Sequence, residues 1–87
     1  MNDFFDSLDM DVKKEMSAIY NEMIELKEHR RLLLEQYRLD RVEDLKEKID
    51  SGEIGEHPAY DHYLAILSLN KELEPMREKC AAIMEKV

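Results

Sequence analysis

The chain has 87 residues, of which 44% are hydrophobic and 39% charged, and its formal net charge is -8. This length allows one domain, which buries only about 60–65% of the surface that the unfolded chain exposes. With 2 glycines and 2 prolines it lacks the turn residues of sheets and long loops, and its single cysteine excludes an internal disulfide.

Residues 1–10 are predicted to be a flexible acidic arm, followed by a single helical domain over residues 11–87. The arm holds three aspartates and no basic residue, the opposite of a signal peptide, and no apolar run in the chain approaches membrane-spanning length. We therefore expect a cytoplasmic protein that does not bind membranes. Asp9 or Asp11 is placed to cap a first helix that begins near residue 11.

The first helix is predicted from apolar residues that recur at alternating gaps of four and three, which forms a seam along one face. Its members are Met16, Ile19, Met23, Leu26 and Leu33. Arg30 also falls at a seam position, where a guanidinium needs a partner. That partner is expected to be an acid of the last helix, such as Glu72 or Glu74, or a second chain; the alternative is that Arg30 binds an anionic ligand.

A break near Leu39 and Asp40 is predicted to separate the first helix from a short middle helix that starts at Val42. Asp40 and Glu43 have the spacing of a capping box. A helix continuous from residue 11 to residue 50 is the alternative, because no glycine or proline interrupts it. Gly52 is suited to the left-handed conformation that ends a helix, so the chain is predicted to reverse there.

The last helix is predicted to begin at about Pro58, a favoured first residue because its missing N–H has no partner to lose. Pro75 lies inside this helix, and the apolar phase is unchanged on both sides of it, which predicts a kink and not an end. The seam of the last helix consists of Ile66, Leu69, Leu73, Met76, Cys80 and Ile83.

Together these elements predict an all-α fold, a long antiparallel helical hairpin with a possible short middle helix. Two broad seams bury little apolar surface when they pack only on one another, whereas two hairpins can form a shared core. We therefore expect a homodimeric four-helix bundle.

The usual patterns of catalysis and metal binding are missing from the sequence. No Glu-x-x-His pair and no glycine-rich phosphate loop occur, and Cys80 lies in an apolar seam where a thiol is inert. Glu56, His57, Asp61 and His62 cluster near the predicted turn and are interpreted as a solvated surface with His57 at the helix start. No cofactor and no metal are expected, and the chain is more consistent with a non-enzyme.

The negative charge is concentrated in residues 40–62, where eight acids and three bases give -5. Such a surface disfavours nucleic acid and complements a basic protein surface. The leading hypothesis is thus a non-enzymatic interaction or regulatory module, and a variant of it is an inhibitor that imitates the charge of nucleic acid. The candidate partner-binding residues are Asp40, Glu43, Asp44, Glu47, Asp50, Glu53, Glu56 and Asp61.

A second hypothesis comes from a resemblance to a known family. The stretch from Lys13 to Arg31, a short helix opening with Asp40 and Arg41, and a long last helix resemble the all-helical chorismate mutases, which are intertwined homodimers. The resemblance implies a small helical enzyme in which Lys13, Arg30 and Arg41 bind an anionic ligand. Val42 stands where that family has a glutamate, and the family's lysine-bearing loop between its first two helices is missing.

Overall fold

A computed structural model describes residues 9–85, which form three α-helices and no strand: α1, Met10–Glu35; α2, Val42–Asp50; and α3, Glu56–Glu85. The two long helices pack against each other, and α2 packs against the first half of α3. The prediction of an all-α hairpin is confirmed. The arm predicted for residues 1–10 lies outside the described residues, except for Asp9 and Met10. Dimerisation remains a prediction.

The start of α1 agrees with the sequence pattern. Asp9 has extended backbone dihedrals, and its side chain accepts a 2.9 Å hydrogen bond from the backbone N–H of Val12. A carboxylate in this position satisfies one N–H group of the first turn and interacts favourably with the positive end of the helix dipole.

The end of α1 was not signalled by glycine. Arg38 adopts a left-handed φ of 57°, and the N–H groups of Arg38 and Leu39 donate to the carbonyls of Glu35 and Leu34. This pair of bonds is a Schellman closure, in which the left-handed residue ends the helix. The predicted break between the helices is confirmed, and the alternative of a helix continuous to residue 50 is wrong.

α2 begins at Val42 as predicted, but the predicted capping box is wrong. The N-cap residue is Arg41, and no side chain caps the helix. At the other end of α2, Gly52 has a φ of 80° and its N–H donates to the carbonyl of Ile49 at 3.1 Å. The left-handed glycine therefore ends α2 as predicted.

Regular helical geometry in α3 begins at Pro58, because His57 has an extended backbone with φ -111° and ψ 122°. A residue that precedes proline is driven towards this region by steric contact with the proline ring. α3 continues through Pro75 to Glu85, and His57 is its only residue with non-helical dihedrals. Pro75 therefore does not end the helix, as predicted.

The apolar core divides into two clusters along the hairpin. The tip cluster joins all three helices and consists of Leu34, Leu45, Ile49, Ala59 and Ile66. The open-end cluster lies between the first part of α1 and the last part of α3 and consists of Met23, Leu73 and Cys80. Of the eleven predicted seam residues, six are buried and five partly buried in this single chain. The seams are therefore covered to a large extent within one hairpin.

Candidate functional site

Two clefts with opposite charge flank α2, and both arise from the way α2 packs on the hairpin. The first, which we call the acidic groove, is an open concavity of about 720 Å³ lined by Leu39, Asp44, Glu47, Lys48, Asp50, Ser51 and Glu53. Four of the eight predicted partner-binding acids are thus brought together. They lie on α2 and in the turn that follows it.

The acids of the groove differ in how they are neutralised. Asp50 accepts two hydrogen bonds from Lys46 Nζ at 2.6 and 2.8 Å, and Glu53 is paired with Lys48 at 3.1 Å. The hydrogen bond to Asp50 raises the pKa of Lys46. Asp44 and Glu47 form no ion pair within residues 9–85. Because these ion pairs are exposed, they contribute little stability, and a cation of a partner can replace Lys46 or Lys48 in them.

The turn after α2 shapes one wall of the groove. Ser51 Oγ donates to the carbonyl of Lys48 at 3.1 Å, and the N–H of Glu53 donates to Ser51 Oγ at 3.4 Å. With the left-handed Gly52 between them, these bonds turn the chain back beside the last turn of α2. Glu53 is thereby placed next to the acids of the helix.

The other four predicted acids lie elsewhere. Asp40 and Glu43 line the second cleft described below, and Glu43 is 3.5 Å from Arg41 Nε. Glu56 and Asp61 are exposed on the first turns of α3, where Asp61 Oδ2 is 3.7 Å from His57 Nδ1. The structure therefore divides the eight predicted partner-binding acids among three places, and their role in binding remains a prediction.

The second cleft, which we call the arginine cleft, is formed where α1, the start of α2 and α3 meet. It comprises two adjoining hollows of about 190 and 210 Å³ that share Arg30, Leu34 and Asp40. Lys27 and Arg31 line the first hollow, and Arg41 with Asn70 the second. Four cations and the two acids Asp40 and Glu43 line the cleft, so its lining has a net charge of +2 in a chain of net charge -8.

Arg30 is the centre of this cleft. Its Nη1 donates to Asn70 Oδ1 at 2.6 Å across the hairpin, and the bond is partly buried. The predicted partners Glu72 and Glu74 are wrong, since a neutral amide takes their place. Arg30 therefore has no counter-ion within residues 9–85, and most of its five N–H donors are not used by side chains there.

The neighbouring cations are arranged differently. Arg31 is held by Glu28 at 2.7 Å and Glu35 at 2.6 Å, and its hydrogen bonds lower the pKa of Glu28. Arg41 reaches the same cleft as Arg30. Lys13 lies 17 positions before Arg30 on α1, about 25 Å away at 1.5 Å per residue. Of the three cations implied by the resemblance, Arg30 and Arg41 line the same hollow, and Lys13 is not among the residues that line it.

His62 contributes a contact that sequence reasoning did not identify. Tyr37 Oη and His62 Nδ1 lie 2.5 Å apart, and their rings meet edge to face with centroids 5.7 Å apart. Burial raises the pKa of Tyr37. His62 is therefore part of the packing between α3 and the end of α1, whereas His57 is exposed.

Within residues 9–85, no three side chains of histidine, cysteine, aspartate or glutamate are placed to share an ion. Cys80 is buried in the open-end cluster. None of the helices in this part of the chain combines the length and apolar character that crossing a membrane requires.

Fold and clefts together define an all-α hairpin protein in which a short middle helix separates an acidic from a basic surface. Residues 1–86 match the family described as Uncharacterized protein MJ0235 family, and the chain belongs to that family. Among curated proteins none matches the chain, and among solved structures none does.

Proposed function

We propose that the protein is a non-enzymatic interaction module whose acidic groove binds a basic segment of a partner protein in the cytoplasm. The observation that carries this proposal is the convergence of Asp44, Glu47, Asp50 and Glu53 on one open concavity. Leu39 supplies an apolar surface in the same concavity, against which the methylene groups of a lysine or arginine can pack.

The energetics of the groove favour attraction at a distance over tight local bonding. Exposed carboxylates in water gain little from one ion pair, but several of one sign steer a basic partner and raise its association rate. The Debye length is about 10 Å at 0.1 M ionic strength, so higher salt weakens this attraction. A salt-sensitive affinity is therefore a defining property of the proposed complex.

The test compares two variants of equal charge with a fluorescent oligo-arginine peptide as the probe. Asp44→Asn with Glu47→Gln removes the two unpaired acids of the groove, and Glu22→Gln with Glu25→Gln removes two exposed acids of α1. We expect the first variant to bind about tenfold more weakly than the second, a difference of about 1.4 kcal/mol. Equal affinities would show that net charge alone attracts the peptide, and they would overturn the proposal that the acidic groove binds it.

A second function is favoured by the arginine cleft. Arg30 is partly buried and has no counter-ion within residues 9–85, and Arg41 and Asn70 line the same hollow beside Asp40 and Glu43. Two arginines in one hollow suit a small anion with two carboxylates. As the second candidate function, we propose that this hollow is the ligand-binding site of a small helical enzyme. Succinate and malonate are suitable probes in a thermal-shift measurement.

For this second function, we expect the probes to raise the melting temperature of the natural protein and not that of Arg30→Ala. Lys79→Ala serves as the matched control, because Lys79 is an exposed cation outside the cleft. If succinate and malonate stabilise Arg30→Ala as much as the natural protein, the cleft does not bind them.

A further inference from the structure

An exposed apolar stripe follows α3 on the side that faces away from the core. It consists of Tyr60, Leu64 and Leu67, whose spacing of four and three residues places them on one helix face. These residues are 45%, 45% and 36% exposed. Single exposed apolar residues are ordinary, whereas a contiguous apolar patch of more than roughly a few hundred Å² marks an interaction surface.

The described chain does not cover this stripe. From α2, Lys46 Nζ lies over the ring of Tyr63, 5.9 Å from its centroid, and the three stripe residues remain 36–45% exposed.

The shape of the molecule leaves area for a partner of substantial size. The hairpin measures 52 × 22 × 15 Å, and the chain exposes 6465 Å². A compact monomer of this mass exposes about 5,400 Å², which is about 1,000 Å² less. A standard interface buries about 800 Å² on each partner.

We propose that a second copy of the chain packs its own stripe against this one, antiparallel, about a two-fold axis between Leu64 and Leu67. The axis places Leu64 of each copy against Leu67 of the other, which makes the interface self-complementary. It also directs Tyr60 of each copy to a shallow concavity of about 550 Å³ on the other. That concavity is lined by Leu67, Asn70, Lys71, Glu74 and Pro75.

Charge complementarity supports the antiparallel direction. Asp61 and Lys71 lie at nearly equal distances before and after the proposed axis, so each meets its opposite charge on the second copy. Lys71 forms no ion pair within the described chain, and Asp61 has only the 3.7 Å contact with His57. A parallel arrangement would place Lys71 against Lys71 and Asp61 against Asp61. The antiparallel dimer brings four long helices together.

The experiment measures the mass of the full chain in solution by light scattering, at tens of micromolar protein. We expect twice 10.4 kDa for the natural chain and 10.4 kDa for Leu64→Asp. Leu32→Asp is the matched control, because Leu32 is the same residue type, 49% exposed, on α1. It is expected to remain dimeric, and circular dichroism should show equal helix content in all three. A monomeric natural chain, or a dimeric Leu64→Asp, overturns the proposal.

A charge exchange tests the direction of packing. Lys71→Asp alone and Asp61→Lys alone are each expected to weaken the dimer about tenfold, and the double variant to restore it. Failure of the double variant to restore the dimer would overturn the antiparallel pairing. Asp44→Asn with Glu47→Gln should leave the mass unchanged, so this proposal and that of the acidic groove can fail separately.

Discussion

Arg30 Nη1 donates a 2.6 Å hydrogen bond to Asn70 Oδ1, and this bond separates the tip cluster from the open-end cluster of the core. A partly buried guanidinium left without its partner is costly, so Asn70→Ala should lower the free energy of unfolding by about 1–2 kcal/mol. Replacing both residues, as in Arg30→Met with Asn70→Leu, joins the two clusters and should restore stability to within about 1 kcal/mol.

Urea denaturation of Arg30→Met, Asn70→Leu and the double variant measures this coupling, and Asn70→Ala is measured beside them. If Asn70→Ala is as stable as the natural protein, the hydrogen bond contributes nothing to the hairpin, and Arg30 is held by its packing alone. The same cycle bears on the arginine cleft, because a stable Arg30→Met protein would be available for ligand measurements.

The burial of Tyr37 predicts a loss of stability at alkaline pH. Burial raises the pKa of Tyr37 above its ordinary value of about 10, so the folded state holds the phenolic proton more tightly than the unfolded state. The resulting stabilisation is complete below pH 10 and is lost as the pH rises through the folded-state pKa.

Thermal melts between about pH 9 and 11 should therefore show a steeper fall for the natural protein than for Tyr37→Phe. Tyr20→Phe is the control, since Tyr20 is an exposed tyrosine of α1. The pKa of Lys46 is also raised, so its contribution to stability is likewise lost at alkaline pH. This contribution is equal in all three proteins. Identical slopes for the natural protein and Tyr37→Phe would contradict this prediction.

Much of the fold could be predicted because periodic apolar residues and a few turn residues act locally. The two seams, Gly52 and Pro58 each identify an element or its end from neighbours in the sequence. The break after α1 was predicted, but the Schellman closure that forms it was not, since Arg38 takes a left-handed conformation that normally indicates glycine. Its cost is offset by tertiary packing, to which Leu34 and Leu39 contribute in the tip cluster.

The candidate sites were predictable only in part, for a related reason. Asp44 and Glu47 are three positions apart on one helix, so their convergence follows from local geometry. The contacts of Arg30 with Asn70 and of Tyr37 with His62 join residues 40 and 25 positions apart. Helix periodicity places each residue on a face, but it does not determine which residues of two helices meet.

The left-handed conformation of Arg38 predicts that glycine is better at this position. A side chain at a left-handed φ costs about 1–2 kcal/mol, and glycine avoids that cost but loses more backbone entropy on folding. We expect Arg38→Gly to stabilise the protein by about 1 kcal/mol, which raises the melting temperature by about 4–8 °C. Arg38→Ala retains Cβ and should give no such gain. If Arg38→Ala stabilises the protein as much as Arg38→Gly does, the effect comes from removing the charge of Arg38 and not from its backbone conformation.

Leu45 connects the stability of α2 to the function proposed for the acidic groove. Its side chain is fully buried in the tip cluster, and α2 has 9 residues, too few for a helix to persist without tertiary packing. Leu45→Ala should cost about 2–5 kcal/mol and expose the amides of α2 to hydrogen exchange before those beside the open-end cluster. Leu73→Ala, equally buried in that other cluster, should instead raise exchange along both long helices.

Because Asp44 and Glu47 are positioned only by α2, Leu45→Ala should also weaken peptide binding more than Leu73→Ala does at temperatures where both proteins remain folded. Equal binding by the two variants would mean that the acids act without the helix that carries them.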